Sequence, residues 1–231
     1  MIIPPNNILI LGNGFDLACG YLTSYMSFAE RGVIREVAEL NGTEFGPFNE
    51  VLEEDGCEHS LYQHFREHKI LNQDELGRVR WIDVEGELWK YAKSKTGQNL
   101  SAEFISRDAT AFYLLKSRLE KYIRRMYPYE WDSDKEDPNV RPFLEAMKIN
   151  GNFRKIFTFN YTDVQLTLKS FANYTDEELP EIVHIHGSTQ DENIVLGIHD
   201  APSIPYEYSF LRKSSQKKLY DLSENYSVPT K

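Results

Sequence analysis

Hydrophobic positions near the start of the chain form a short continuous run, Ile8 to Leu11, which passes directly into Gly12-Asn13-Gly14. A short apolar run followed by glycine is typical of a buried parallel strand that enters a tight loop. We expect a helix to begin at Phe15 or Asp16. Hydroxyl side chains and spaced apolar residues from Thr23 to Leu40 predict a second helix.

The middle of the chain, to about residue 150, is dominated by helical spacing. The polar stretches 41–56 and 132–138 predict loops within it. One long helix is predicted because apolar residues recur three and four positions apart, at Phe104, Phe112, Leu115, Leu119, Tyr122, Ile123 and Met126.

After residue 151 the pattern changes to a strand, a helix and a strand. Residues 155–159 and 181–186 are strand-like, and residues 163–174 between them are helix-like. A further short strand is predicted at 194–196. Since parallel strands carry ligands at their carboxyl ends, we expect the loops that follow these strands to share one crevice.

The amino-acid composition excludes several classes of protein. The chain has 231 residues, 41% of them hydrophobic, which is enough for one large folded domain. Its 26 Lys and Arg against 36 Asp and Glu give a net charge of −10, which argues against nucleic acid as a partner. No apolar run approaches the roughly 20 residues of a membrane span, and the first residues lack the basic and then apolar regions typical of a secretion signal, so we expect no export. With two cysteines only, we expect a reduced, cytoplasmic protein without membrane contact.

The first candidate site is the glycine loop from Gly12 through Asn13, Gly14 and Phe15 to Asp16. Two glycines between a strand and a helix allow the backbone to approach a phosphate at the helix N-terminus. The usual dinucleotide motif has a third glycine where Leu17 stands. A tight turn without a ligand is the alternative interpretation.

The second candidate site runs from Thr158 through Asn160 and Tyr161 to Asp163. Its amide, hydroxyl and carboxylate groups suit ribose hydroxyls or an ordered water. The alternative is a helix cap that satisfies free backbone N–H groups. We favour the cap for Asp163 and a functional role for Asn160.

The third candidate is His184-Ile185-His186-Gly187-Ser188. Alternation places both imidazoles on one side of a strand, with His186 at the tip, where Gly187 leaves room for a ligand. His186 is therefore the candidate general base. His184 is interpreted as a satisfied core histidine or one that supports the site.

Two further clusters are weaker. One cluster has a spacing that would permit zinc binding: Cys57, His59, His64 and His68. Because no second group of ligands of similar quality occurs elsewhere in the chain, we predict no metal site. Asp83 and Glu87, one helical turn apart, form either an acid–base pair or the polar side of an amphipathic helix. Neither a Gly-x-Ser-x-Gly elbow nor a Walker loop occurs, so the serine hydrolase and P-loop classes lack their defining residues.

Taken together and in order, these motifs resemble the AbiH family, bacterial proteins of phage abortive infection. That family is similar in turn to sirtuin-like NAD-binding proteins, which share a glycine loop, an asparagine after a strand and a histidine-glycine pair. The resemblance extends, with gaps, from residue 8 to about 218 and rests on Ile10–Ala18, Thr23–Tyr25, Trp81–Glu85, Phe157–Thr162, His184–Gly187 and Leu196–Ile198.

The resemblance implies an α/β fold: a Rossmann-like, sirtuin-like parallel sheet flanked by helices, with a large, mainly helical insertion. One AbiH-like domain would span 1–231, with its core at about 1–33 and 151–200. The insertion would cover about 34–150, and residues 201–231 would be helical or irregular. Carried over to this chain, nucleotide contacts fall on Gly12, Asn13, Gly14, Phe15, Asp16, Thr158, Tyr161, Gly187 and Ser188.

The same resemblance implies that the protein binds NAD or NADP as a substrate or ligand, without a prosthetic group. Asn160 would position the ribose or the attacking water, and His186 would act as the base. Sirtuin deacetylases need four zinc-binding cysteines, which this chain lacks, so hydrolysis of the nicotinamide–ribose bond is the favoured activity. A resting homo-oligomer released by a phage-derived trigger is also implied. The alternatives are a non-catalytic nucleotide sensor and a phage-recognition or interaction protein.

Overall fold

The computed structural model describes residues 7–37, 42–46, 60–67, 84–128, 132–150, 153–199, 203–213 and 215–216. These residues form a mixed α/β structure. Its strands are β1 (Asn7–Leu11), β2 (Val33–Val37), β3 (Gly42–Gly46), β4 (Phe153–Thr158) and β5 (Glu181–His184). Its helices are α1 (Asn13–Ala18), α2 (Tyr25–Arg31), α3 (Ser60–Glu67), α4 (Val84–Ser94), α5 (Ala102–Met126), α6 (Val140–Asn150) and α7 (Val164–Ala172).

The chain divides into two compact units. The first comprises residues 1–28 and 120–194, and the second comprises residues 29–119 and 195–231. The first unit contains a parallel sheet in the order β1-β4-β5, with β4 in the middle. Helix α7 connects β4 to β5, which is the crossover that parallel neighbours require.

The core of the first unit is apolar and lies against the sheet. Leu11 and Ile156 of neighbouring strands are buried in it, together with residues of α6 and α7. Burial of this apolar area is the main stabilising contribution to the unit. Its members are Leu11, Cys19, Tyr21, Tyr127, Val140, Leu144, Met147, Ile156, Val164, Leu168, Phe171, Ala172 and Tyr174.

Local sequence sets both ends of α7. Oδ1 of Asp163 accepts hydrogen bonds from the backbone N–H of Gln165 (2.8 Å) and of Leu166 (3.4 Å), which confirms the predicted cap. The helix ends at Asn173, whose φ of 52° and ψ of 41° are left-handed. Asparagine tolerates this conformation better than most residues, so it suits a helix C-terminus.

The second unit contains the antiparallel pair β2–β3 and an aromatic core. In α4, the buried residues are Val84, Leu88, Tyr91 and Ala92, as an amphipathic helix requires. The predicted long helix is confirmed as α5, with Phe112, Leu115 and Leu119 buried in this unit. A 3₁₀ segment, Tyr206–Leu211, also belongs to this unit and buries Tyr208 and Leu211.

Three predictions of local structure are wrong. The second helix, predicted to continue to Leu40, ends at Arg31, and residues 33–37 form a strand. That strand pairs with a second one at residues 42–46, where a loop was predicted. Their β-branched residues, Val33, Ile34, Val37 and Thr43, suit strands. Residues 194–196 are buried but form no strand; the nearby pairing is a single bridge between Ile198 and Arg212. The predicted loop 132–138 is confirmed, and it includes a short 3₁₀ turn at Ser133–Lys135.

Among the described helices, none combines the length and the apolar character that crossing a membrane would require.

Candidate functional site

The carboxyl ends of the three parallel strands lie side by side. Leu11 of β1 pairs with Thr158 of β4, and Thr158 pairs with His184 of β5. These three residues are the last of their strands, so the three following loops start in line at one edge of the sheet. The expected convergence of these loops is therefore present in the first unit.

Backbone hydrogen bonds hold the three loops together. The N–H of Phe159 donates to the carbonyl of Leu11 (2.9 Å), and the N–H of Ile185 donates to that of Thr158 (2.8 Å). Further out, the N–H of Thr189 donates to the carbonyl of Tyr161 (2.8 Å). The loops are therefore an extension of the sheet, which gives their side chains fixed positions.

The glycine loop has space in front of it. Gly12 has an ordinary extended backbone (φ −121°, ψ −178°), and a Cβ built on Gly12 or Gly14 meets no atom within 4 Å. Neither the backbone conformation nor internal packing therefore requires glycine at these two positions. A ligand that approaches the backbone closely would require it. Asn13 and Phe15 lie in the first turn of α1, which begins at this loop.

Asp16 is the last residue of this loop and is only 1% exposed. Its Oδ1 accepts a hydrogen bond from Nδ2 of Asn160 (2.8 Å). Its Oδ2 accepts from the hydroxyls of Thr162 (2.8 Å) and Thr23 (3.3 Å). Burial raises the pKa of Asp16 to about 7, although the three donors act in the opposite direction.

Asn160 follows the middle strand and is held from several sides. Its backbone N–H donates to Oγ1 of the buried Thr158 (3.1 Å), and its side chain is bonded to Asp16. The residue is 3% exposed, and its Oδ1 has no hydrogen-bond partner among the described residues. A buried amide oxygen without a partner is uncommon in folded proteins and indicates a ligand or water position.

The two histidines occupy different positions. His184 is the last residue of β5, and its Nδ1 lies 3.3 Å from the backbone carbonyl of Asn160. Since a carbonyl only accepts, that nitrogen carries the proton. His184 thus supports the Asn160 loop, in agreement with its interpretation as a histidine that supports the site.

His186 lies two residues beyond the strand, so the prediction that both imidazoles belong to it is wrong. The hydrogen bond from Ile185 to Thr158 is the last one before the turn. The half-buried His186 ring packs edge-on against Phe159, with the ring centres 5.3 Å apart and the planes at 81°. Phe159 is itself 45% exposed, so this aromatic pair lies at the surface of the site.

Gly187, in contrast to Gly12 and Gly14, is required by the fold. Its φ is +72°, and a Cβ would lie 2.1 Å from the backbone oxygen of Asn193. Ser188 is buried next to it; its N–H donates to Oδ1 of Asn193 (2.8 Å) and its hydroxyl to Asp191 (2.7 Å). The hydroxyl of Ser188 thus stabilises the turn itself.

Sequence reasoning missed several side chains that build the site. Thr23, interpreted as a helix cap, instead donates to Asp16, while Ser24 caps α2 by accepting from the N–H of Ser27 (3.0 Å). Arg124 of α5 binds the carbonyl of Thr189 and the carboxylate of Glu192, both at 2.9 Å. The two contacts of Arg124 join residues 65 and 68 positions apart in the chain, so no local pattern predicts them.

A second polar cluster lies in the second unit. Asp108 is 2% exposed and accepts hydrogen bonds from the hydroxyls of Tyr91 (2.5 Å) and Tyr208 (2.6 Å). His64 of the suggested zinc group lies 3.3 Å from Glu87, between Nε2 and Oε2. The other three members, Cys57, His59 and His68, are outside the described residues, as is Asp83.

The described residues form an α/β protein with a cluster of buried polar side chains at the carboxyl edge of a three-stranded parallel sheet. The sequence model of the family described as "Bacteriophage abortive infection AbiH" matches residues 8–229. The chain therefore belongs to the AbiH family, and its function lies in phage abortive infection. Neither the curated proteins nor the solved structures include a match to this chain.

Proposed function

We propose that this AbiH protein is an NAD-consuming effector that hydrolyses the bond between nicotinamide and ribose in NAD or NADP. The observation that carries the proposal is Asn160, whose buried Oδ1 has no partner within the described part of the chain. Asn160 follows the middle strand of the sheet, so its neighbours are the glycine loop after β1 and the His186 turn after β5.

The glycine loop supports a nucleotide as the ligand. Gly12 and Gly14 leave open space at the start of α1. The N–H of Phe15 donates to the carbonyl of Gly12 (2.8 Å), whereas the N–H groups of Asn13 and Gly14, at the first two positions, have no acceptor within the helix. Phosphate oxygens are suitable acceptors for such groups. We assign the phosphates to residues 12–15, and the adjoining ribose to Asn160 with Thr158 and Tyr161 around it.

In the proposed reaction, water attacks C1′ of the ribose that carries nicotinamide. The C1′–O bond forms while the C1′–N bond breaks, and the electron pair of the broken bond neutralises the nicotinamide nitrogen. Oδ1 of Asn160 accepts a hydrogen bond from the water or from a ribose hydroxyl and so orients it. The proton lost by water passes to His186 and then to solvent. The products are nicotinamide, ADP-ribose and one proton.

Nicotinamide release by the purified protein at several concentrations tests this activity. Asn160→Ala and His186→Ala are the test variants; Asn99→Ala and His199→Ala, both exposed, are matched controls. We expect turnover by the wild-type protein and both controls, and a fall of roughly one-hundred-fold or more in each test variant. Full turnover in both test variants would refute the assignment of the site.

The open space at the glycine loop also supports a second function, that of a non-catalytic nucleotide sensor. A nucleotide could bind in this space without being cleaved. Thermal and urea unfolding with NAD separates this function from that of an interaction protein. Ligand at one hundred times its dissociation constant should add about 2.7 kcal/mol to the free energy of unfolding. Stabilisation by NAD without release of nicotinamide would establish the sensor. If NAD neither stabilises the protein nor is cleaved, an interaction protein is the remaining function.

A further inference from the structure

Asp16 occupies an unusual position for a residue of a nucleotide loop. It lies in the first turn of α1, but both of its carboxyl oxygens point into the protein and the residue is 1% exposed. Its three partners, Asn160, Thr162 and Thr23, all donate hydrogen bonds to it. Three donors on one carboxyl group suit its ionised form, which accepts only.

The bond to Asp16 determines which way round the Asn160 carboxamide lies. Its nitrogen donates to the carboxylate at 2.8 Å, and a carboxylate accepts only, so this end is the NH₂ group. Because the carboxamide is planar, Oδ1 is directed away from Asp16. In the described residues this oxygen has no partner, while the backbone N–H and carbonyl of Asn160 contact Thr158 and His184.

We propose that Asp16 is a positioning residue, which holds the NH₂ group of Asn160 and thereby presents the amide oxygen to the ligand. This inference rests on the proposed function, since it concerns the ligand at Asn160. An oxygen at this point selects a hydrogen-bond donor, namely a ribose hydroxyl or a water. It rejects a phosphate or carboxylate oxygen, because two acceptors cannot bond to each other. Phosphate groups are therefore excluded from the position next to Oδ1 of Asn160.

The charge of Asp16 controls this orientation. If Asp16 is protonated, or replaced by asparagine, position 16 gains an O–H or N–H donor, and the NH₂ end of Asn160 is no longer fixed by a group that only accepts. With the donor at the Oδ1 position, the carboxamide of Asn160 turns over to accept from it, and the NH₂ group takes the place of the oxygen. With the donor at the Oδ2 position, the hydroxyls of Thr162 and Thr23 accept from it and the carboxamide keeps its orientation. Since the pKa of Asp16 is raised to about 7 by burial, this change falls near neutral pH.

The groups that face Asp16 do not change charge in that range. Cys19 and Tyr21 follow α1 and interact with Asp16, and burial raises the pKa of each to about 12. Tyr127, which follows α5, also interacts with Asp16, and burial raises its pKa as well. Glu136 and Arg141 act on Cys19 and are paired with each other at 2.6 Å. His184, whose Nδ1 lies 3.3 Å from the carbonyl of Asn160, and His186 are present both in the wild-type protein and in Asp16→Asn. A titration near pH 7 that this substitution abolishes is therefore assigned to Asp16.

The test compares the wild-type protein with Asp16→Asn, which keeps the size of the side chain. We expect the variant to fold, and its kcat for NAD to fall roughly ten- to one-hundred-fold with a smaller change in KM. Wild-type kcat should rise with pH through about 7 because the ionised carboxylate is the active form. The contribution of Asp16 to this rise should be absent from the variant, which keeps His186 as the base. Thr23→Val, which removes the longest of the three hydrogen bonds, is the control and should retain this contribution.

A second measurement does not depend on turnover. In NMR spectra of the ligand-free protein, the side-chain NH₂ signals of Asn160, identified by their loss in Asn160→Ala, should titrate with a midpoint near pH 7. In Asp16→Asn they should shift and stop titrating. If these changes occur but no variant releases nicotinamide, the positioning role stands and the proposed reaction fails. NH₂ signals that are unaffected by pH and by Asp16→Asn would overturn the positioning role, whatever the activity.

Discussion

Nδ2 of Asn160 lies 2.8 Å from Oδ1 of Asp16, although 144 positions separate the two residues in the chain. The parallel pairing of β1 with β4 produces this contact, since Leu11 and Thr158 are paired at the ends of their strands. The first turn of α1 is thereby placed beside the loop that carries Asn160. The site is thus formed by strand pairing, and a protein that pairs these strands correctly also assembles Asp16 with Asn160.

Stability should depend on pH through Asp16. The folded protein retains the proton up to about pH 7, whereas the unfolded chain loses it near the ordinary pKa of 3.8. The free energy of unfolding therefore falls as pH rises through this interval, by on the order of 4 kcal/mol at most, since each pH unit contributes about 1.4 kcal/mol.

Asp16→Asn removes this dependence. Urea unfolding of the variant and the wild-type protein at about pH 5 and about pH 8 measures it. We expect the stability of the variant relative to the wild-type protein to increase with pH, because the unfavourable buried charge is absent. Equal differences at both pH values would contradict the raised pKa of Asp16.

Two glycine substitutions should have opposite effects on stability. Gly187→Ala places a Cβ 2.1 Å from the backbone oxygen of Asn193 at a φ of +72°, and we expect a loss of roughly 2 kcal/mol or more. Gly14→Ala adds a Cβ in open space inside α1, and we expect a gain of up to about 1 kcal/mol.

The same pair of variants also tests the ligand position. Gly14→Ala should be at least as stable as the wild-type protein in thermal unfolding, and yet bind NAD more weakly because its Cβ occupies the space in front of the loop. Calorimetry with NAD measures the affinity. Unchanged affinity in Gly14→Ala would exclude close approach of a ligand at this loop.

The cap of α7 makes a separate contribution to stability. Asp163→Ala removes the acceptor for the N–H groups of Gln165 and Leu166, and we expect a loss of about 1 kcal/mol. Asp163→Asn retains an oxygen that accepts the same bonds, and should lose a few tenths of a kcal/mol. Urea unfolding of both variants measures the two losses in the free energy of unfolding. Both variants remove the charge of Asp163, so equal losses would indicate an effect of charge, and a larger loss in Asp163→Ala indicates the cap.

The buried carboxylate of the second unit depends on its two tyrosines. Tyr208→Phe leaves Asp108, which is 2% exposed, with the hydroxyl of Tyr91 as its remaining tyrosine donor. We expect a loss of roughly 1–3 kcal/mol in the free energy of unfolding. Tyr206→Phe is the matched control, since Tyr206 is 83% exposed, and it should change stability by less than about 0.5 kcal/mol.

The sequence was sufficient to predict the strands that form the site. Apolar runs next to glycine or a polar cluster located β1, β4 and β5, and the period of α5 located its buried face. The prediction failed at β2, because Val33, Ile34 and Val37 also fit a helical period when the helix before them is extended. The hairpin depends on pairing with residues 42–46, which a local pattern does not contain.

The polar contacts of the site were less predictable than its loops. Asp16 was expected at the nucleotide, but its carboxyl group accepts from Asn160, Thr162 and Thr23 inside the protein. Which face of the first turn of α1 is buried depends on how α1 packs. Likewise, the single sequence gives no reason to pair Ser188 with Asp191 and Asn193. The prediction that these residues bind nucleotide stays open to the experiments above.

Cleavage of NAD by water at Asn160 is tested most directly by product analysis after incubation of the purified protein with NAD. We expect nicotinamide and ADP-ribose in equal amounts from the wild-type protein, and roughly one-hundred-fold less of both, or none, from Asn160→Ala at the same concentration. Equal product formation by both proteins would place the reaction elsewhere. Bound but intact NAD at every protein concentration would show that the site binds the nucleotide without cleaving it.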